Sequence, residues 1–246
     1  MAMAEFTRGD ATIHFDLEGP ESAFPVLLVA PGGMRSSNEI WNEMPWNPRT
    51  ALDDEYRLIG MDQRNAGRSH APISADDGWN AMRDDQLALL DHLRVEQCHV
   101  IGMCIGGPYI GALLREAPQR FASAVMLQPV GIEPDGSNRQ AFYEMFDRWV
   151  ETKSESHGDV DAATWTQFRN NMWDGDFLLT ASHDDVSRFA TPILVAMGND
   201  LYHPQVTSRE IAGLAPDVRF VESWKEGAAL DEFDGVVKDF LAAHTP

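Results

Sequence analysis

The feature that most constrains the fold of this chain is a series of short, continuously apolar runs spaced along its 246 residues. They lie at 25–30 (PVLLVA), Arg57–Met61 (RLIGM), Cys98–Met103 (CHVIGM), 122–127, 193–197 and 218–222. Several stop at turn-forming residues, such as Pro31-Gly32-Gly33 and the stretch from Asp62 to Gly67. A run that is apolar without alternation reads as a strand covered on both faces. Ahead of them, residues 11–19 alternate as a half-wet strand does, and Gly19-Pro20 ends it. Between the runs, Met82, Leu87, Leu90 and Leu93 fall at helical spacing, and helices are predicted at about 108–116 and 230–243. Strands alternating with helices predict an α/β fold, a mostly parallel sheet flanked by helices.

The alternation breaks between about 132 and 190. That stretch carries Phe142, Tyr143, Phe146, Trp149, Trp165, Phe168, Trp173 and Phe177. It predicts a small helical lid inserted over the carboxyl ends of the strands. The chain then divides into a core of 1–131 and 191–246 and a lid of 132–190. Ligand pockets are lined mainly by apolar and aromatic side chains, so Phe146, Trp149, Trp165 and Trp173 are candidate pocket residues.

Composition narrows the function. Lys plus Arg is 19 and Asp plus Glu is 39, a net charge of −20. Bulk attraction to nucleic acid or to an anionic membrane is excluded, which leaves a small-molecule substrate as the expected partner. The apolar runs are too short to cross a bilayer. Residues 1–10 lack the basic and apolar regions of a secretory leader. Two cysteines, Cys98 and Cys104, cannot build a disulfide framework. A cytoplasmic protein, monomer or homodimer, is the expectation.

The sharpest chemical signal is Gly102-Met103-Cys104-Ile105-Gly106-Gly107, between a predicted buried strand and a helix. Glycines flanking such a turn allow close strand–helix approach and hold the central side chain up at the helix N-terminus. A thiol placed there has its pKa lowered, and thiolate is a strong nucleophile. Cys104 is therefore the candidate nucleophile. Metal ligation and cofactor binding find no support: no Cys-x-x-Cys, His-Glu-x-x-His, phosphate-loop or dinucleotide pattern occurs.

With this elbow in place, nearly the whole chain resembles the α/β-hydrolase superfamily, with Cys where Ser is usual. The Gly-x-Cys-x-Gly-Gly form is similar to the elbows of dienelactone hydrolases and polyhydroxyalkanoate synthases, although neither is matched along the rest of the chain. The loop from Asp62 to Ser69 resembles the family's Asp-x-Arg-Gly-x-Gly-x-Ser. The resemblance implies oxyanion donors at the amides of Ile105 and of Met34 or Gly33, and a triad acid at Asp200 in Gly198-Asn199-Asp200.

It also implies a His between the last strand and the last helix, and the segment from Glu222 to Asp231 contains none. By spacing, Ala229 stands at the expected base position. Three readings stay open: an altered enzyme whose base is Ala229, a protein that only binds its ligand, or a base supplied by another His, with His203 first in line. The expectation with Ala229 as a missing part is favoured over His203, which reads as a loop residue before Pro204. The function implied is hydrolysis of a small to medium apolar ester, lactone or thioester through a Cys104 acyl-enzyme. The alternatives are a non-catalytic small-molecule binder on the same fold, or an acyltransferase. Arg35, Arg64 and Arg68 sit on loops expected near the mouth, so an anionic substrate is not excluded by the net charge.

Overall fold

The computed structural model describes the backbone of residues 2–153 and 155–246 and the side chains of residues 4–153 and 155–246. All six apolar runs become strands of one eight-stranded sheet. In chain order the strands are β1 (Ala2–Arg8), β2 (Ala11–Glu18), β3 (Pro25–Val29), β4 (Arg57–Met61), β5 (Cys98–Met103), β6 (Phe121–Leu127), β7 (Ile193–Ala196) and β8 (Val218–Val221). Their spatial order is β1-β2-β4-β3-β5-β6-β7-β8. β1 and β2 form an antiparallel pair, β2 meets β4 antiparallel, and β3 to β8 are mutually parallel.

The helices are α1 (Pro48–Ala51), α2 (Trp79–His92), α3 (Gly106–Glu116), α4 (Arg139–Lys153), α5 (Ala162–Trp173), α6 (His183–Val186), α7 (Gln205–Leu214) and α8 (Gly227–His244). They cover both faces of the sheet. On one face Leu27, Val29 and Val100 join a core with Leu89 of α2, Leu113 of α3, Phe142 of α4 and Ile211 of α7. On the other, Val26, Leu28 and Ile101 join Trp41, Leu52, Phe233 and Val237 of α8. Successive strand residues thus feed opposite layers, which is why the runs are apolar without alternation. Every residue of β5 is buried. β8 is the sheet edge, with Arg219 exposed and its neighbours half-buried.

Three elements lay outside the sequence reading, the short helix α1 among them. The first ten residues carry β1, where Phe6 packs on Phe15 and stacks on His92. Helix α7 follows Pro204, whose fixed φ suits the residue before a helix. The stretch between β6 and β7 forms α4, α5 and α6. Among the described residues no helix is long and apolar enough to cross a membrane.

Candidate active site

Cys104 leaves β5 with φ 61°, a left-handed conformation that costs a non-glycine residue about 1–3 kcal/mol. Hydrogen bonds fix it there. Its N–H donates to the Leu127 carbonyl at 3.0 Å, and its carbonyl accepts from the N–H groups of Gly107 and Val130, each at 3.0 Å. The flanking glycines are required by contact distance. A Cβ on Gly102 would lie 2.8 Å from the Gly106 oxygen, and one on Gly106 would lie 2.8 Å from the Val29 oxygen. The side chain of Cys104 is therefore presented, partly exposed, at the N-terminus of α3, among the carboxyl ends of β3, β5 and β6.

A histidine reaches the thiol from the loop after β7. After β7 the chain turns back at Gly198, where an added Cβ would sit 2.5 Å from both the Cβ and the oxygen of His203. This close approach lets residues 199–203 fold over the strand end. The Asp200 carboxylate accepts the N–H groups of Tyr202 (3.0 Å) and His203 (3.1 Å), and it also meets His203 Nδ1 at 2.7 and 2.8 Å. With Nδ1 engaged, Nε2 is the ring nitrogen left to interact with Cys104; it is buried and makes no conventional hydrogen bond. Cys104, His203 and Asp200 are thus brought together in one line.

Ala229 is not at this site. It lies half-buried in the first turn of α8 and does not border the cavity that holds Cys104. The segment before it is occupied differently: Trp224 donates to the Met197 carbonyl at 3.0 Å, and Lys225 reaches Asn199 Oδ1 at 3.1 Å. It braces the loop that carries Asp200 from outside. Position 229 thus lies away from Cys104, and the imidazole beside the thiol is that of His203, from the loop after β7. The signal in the sequence was the Asp-x-x-His spacing itself, since an Asx turn brings a side chain three residues on back to its carboxylate.

Electrostatics follow from the geometry. Burial pushes the Cys104 thiol up, but the neighbouring His203 imidazolium, with the backbone N–H groups of Gly32 and Ile105, outweighs it and holds the thiol below its ordinary value. Burial disfavours the His203 imidazolium, yet Cys104 and Asp200 together raise it to about 9. The bond from His203 is the main reason the Asp200 carboxyl falls to about 2. Each of the two groups thus favours the charged form of the other. Cys98, by contrast, is pushed up to about 12 by burial and is chemically quiet.

The amide facing the sulfur from the early loop is that of Gly32, rather than Met34 or Gly33. Gly32 has φ 112° and starts the tight turn Gly33–Arg35, which aims its N–H back at the elbow. The Ile105 amide also faces the sulfur, and Gly33 and Met34 line the same cavity. A Cβ on Gly33 would meet Met145 Sδ of α4 at 2.8 Å, so this loop is clamped from above. From below, Asp62 accepts the N–H groups of Asn38 (2.9 Å) and Arg68 (2.8 Å), which ties the Asp62–Ser69 loop to the turn beside Cys104.

The cavity over Cys104 is about 470 Å³, a size suited to a small ligand. Trp149, Trp173 and His203 are on its wall, as are Phe142, Arg148 and Tyr202, which the sequence reading did not single out as pocket residues. Phe146 and Trp165 are not. Phe146 is fully buried against Trp149 and Phe168, and Trp165 packs on Trp149 and His157. They support the wall from behind. Arg64 is likewise turned away, paired with Asp85 at 2.9 and 3.0 Å, and Arg68 is paired with Asp16 and Asp62. Among the described residues no cluster of three or more His, Cys, Asp or Glu side chains could hold a metal ion.

Comparison with known proteins sets this geometry in context. A family profile described as alpha/beta hydrolase fold matches residues 25–164. The chain is 27% identical over 226 residues to RutD, a carbamate hydrolase candidate of Pseudomonas syringae pv. syringae, covering 79% of this chain and 83% of that one. It is 30% identical over 115 residues to the corresponding protein of Variovorax paradoxus, where the match spans 47% of this chain but only 41% of the relative's length. The carboxylesterase YbfK of Bacillus subtilis is 22% identical over 84% of this chain and 74% of its own. Among solved structures, the enol-lactonase of Burkholderia xenovorans superposes with a TM-score of 0.70 at 19% identity, covering 97% of this chain and 100% of that one, a likeness of fold.

Proposed function

The chain belongs to the alpha/beta hydrolase fold family, and from that premise we propose that it is a hydrolase working through a Cys104–His203–Asp200 triad and a Cys104 acyl-enzyme. The observation that carries this reading is the placement of His203 between the Asp200 carboxylate and the Cys104 thiol. A receptor without chemistry was attractive only while the base was missing, and His203 removes that ground.

The chemistry follows from the groups present. Cys104 Sγ attacks the substrate carbonyl carbon and forms a C–S bond. The carbonyl oxygen gains negative charge, which fixed amides at Gly32 and Ile105 stabilise without reorganisation. His203 Nε2 gives its proton to the leaving group as the C–O bond breaks, and the thioester remains. Once the thiolate is consumed, His203 loses the charge that raised it and becomes a base. It takes a proton from water, whose oxygen attacks the thioester and releases the acid, and the thiolate–imidazolium pair returns. Asp200 holds the ring through Nδ1 throughout.

The substrate class is a small to medium ester, lactone or thioester, with a carbamate a related acyl group suggested by the relatives' names. Helices α4 to α6 act as the lid over the carboxyl ends of the strands, and 132–190 is the inserted unit. A reducing cytoplasm fits a thiol nucleophile. Intact-mass spectrometry after mixing with an activated ester tests the reading. One acyl group should appear on Cys104 and decay with water, and Cys104→Ala should stay unmodified. Acylation that decays only when alcohols or amines are added would instead identify an acyltransferase. Absence of acylation with every activated ester would reject the acyl-enzyme.

A further inference from the structure

The cavity wall differs in charge from the rest of the molecule. The chain has 39 acidic and 19 basic residues, yet among the described residues the wall over Cys104 carries two arginines, Arg35 and Arg148, and no Asp or Glu. Most arginines here are spoken for: Arg8, Arg49, Arg64, Arg68, Arg83, Arg115, Arg120 and others pair with carboxylates. Arg35 and Arg148 make no hydrogen bond or ion pair with any described residue, and both are exposed at the cavity rim. They come from different elements, the turn Gly33–Arg35 and helix α4, and converge on one opening.

A wall that supplies cations and no acidic acceptor is complementary to an anion. A chain of strongly negative net charge repels anions at long range, so unpaired arginines at the one opening above the nucleophile serve to reverse that field locally. Outside the rim, Arg35, Trp149 and Thr152 also border a shelf that carries Lys153, with Glu43 as its acid.

We propose that the substrate is itself anionic: an acyl compound bearing a carboxylate at the end remote from the scissile carbonyl, with the carboxylate held by Arg35 and Arg148 and the carbonyl at Cys104. The inference deepens the hydrolase reading and rests on it for the identity of the reacting end. It refines the expectation of a purely apolar substrate: the middle of the ligand meets Phe142, Trp149 and Trp173, and its outer end meets charge.

The test compares two matched esters, 4-nitrophenyl hexanoate and the mono-4-nitrophenyl ester of adipic acid, which differ by the terminal carboxylate. The wild-type protein should favour the adipate ester in kcat/KM by about tenfold or more, the scale of a charge-assisted pair at a partly exposed site. Arg148→Gln and Arg35→Gln should each cut that ratio several-fold, Arg148→Glu should invert it, and Arg148→Lys should restore most of it. High salt should compress the ratio. A wild-type ratio near one, or a ratio unmoved by Arg35→Gln and Arg148→Gln, overturns the proposal. Calorimetric binding of both esters to Cys104→Ala separates the two readings. Arginine-dependent preference for the adipate ester there, with no acylation of the wild type, would sustain the anion site and reject the acyl-enzyme; equal binding of the two esters would reject the anion site.

Discussion

Replacing His203 with Ala tests the ion pair directly, and the structure sets the size of the effect. In the intact site the imidazolium is raised to about 9 and the neighbouring thiol is held below its ordinary value, so each group favours the other's charged form. In His203→Ala the opposite charge beside the thiol is lost. Burial, the largest influence on Cys104, then opposes ionisation against only the two amides. An ordinary thiol near 8.5 is about 3% ionised at pH 7. Alkylation of Cys104 by iodoacetamide at pH 7 should therefore slow to the rate of an ordinary thiol or below, since thiolate is the reactive form. The thiolate absorbance near 240 nm should shift to higher pH in parallel. Cys98, pushed up to about 12, contributes no background to either signal. Ester turnover should fall further, by about a thousandfold, because the proton donor is also gone. In the wild type, kcat/KM should rise as the thiol ionises below its ordinary value and fall above about 9, where His203 loses the proton it must give the leaving group. An alkylation rate within threefold of wild type in His203→Ala would refute the pairing of His203 with Cys104.

Three further outcomes follow from the same geometry. Asp200→Asn should lower turnover by about a hundredfold or more and move the alkaline limb of the pH profile below 9, because the carboxylate that holds the imidazolium is lost; an unmoved limb would show that Asp200 does not set His203. Ala229→His should give no gain in turnover, since position 229 lies off the cavity; a clear gain would restore the reading of Ala229 as a missing base. Gly198→Ala forces a Cβ to 2.5 Å from His203, so chemical denaturation should report a loss of about 1–3 kcal/mol together with a loss of activity, and wild-type behaviour in both would show that the loop relaxes freely.

The fold was legible because burial writes itself into the sequence. Leu27 and Val29 face one core while Val26 and Leu28 face the other, so β3 has to be apolar throughout. The elbow was equally legible, since Gly102 and Gly106 answer to contacts that no side chain could survive. The base was not. His203 was visible as a residue, but its role depends on a three-dimensional turn at Gly198 and on Nδ1 being taken by Asp200. A family pattern that looks for His after the last strand passes over it. The wall was legible by composition and not by direction. Trp149 and Phe146 lie three residues apart on α4, yet the first faces the cavity and the second is sealed behind it. β1 is an edge strand paired only to β2, so it needs no long apolar run to mark it.

The mutual hydrogen bonds between Asp200 and His203, backbone to backbone at 3.1 and 3.3 Å and side chain to side chain, have a consequence for how such a site can change over time. Acid and base travel together on one five-residue cassette, 199–203, hung from the end of a single strand. Motion of that cassette shifts both groups as one, so their alignment survives fluctuations that would separate partners on different loops. The polypeptide after β8 is thereby released from supplying chemistry. Its helix is free to be exchanged, shortened or recruited to other duties, and the cassette itself is compact enough to be grafted onto a related scaffold whose own C-terminal His has been removed.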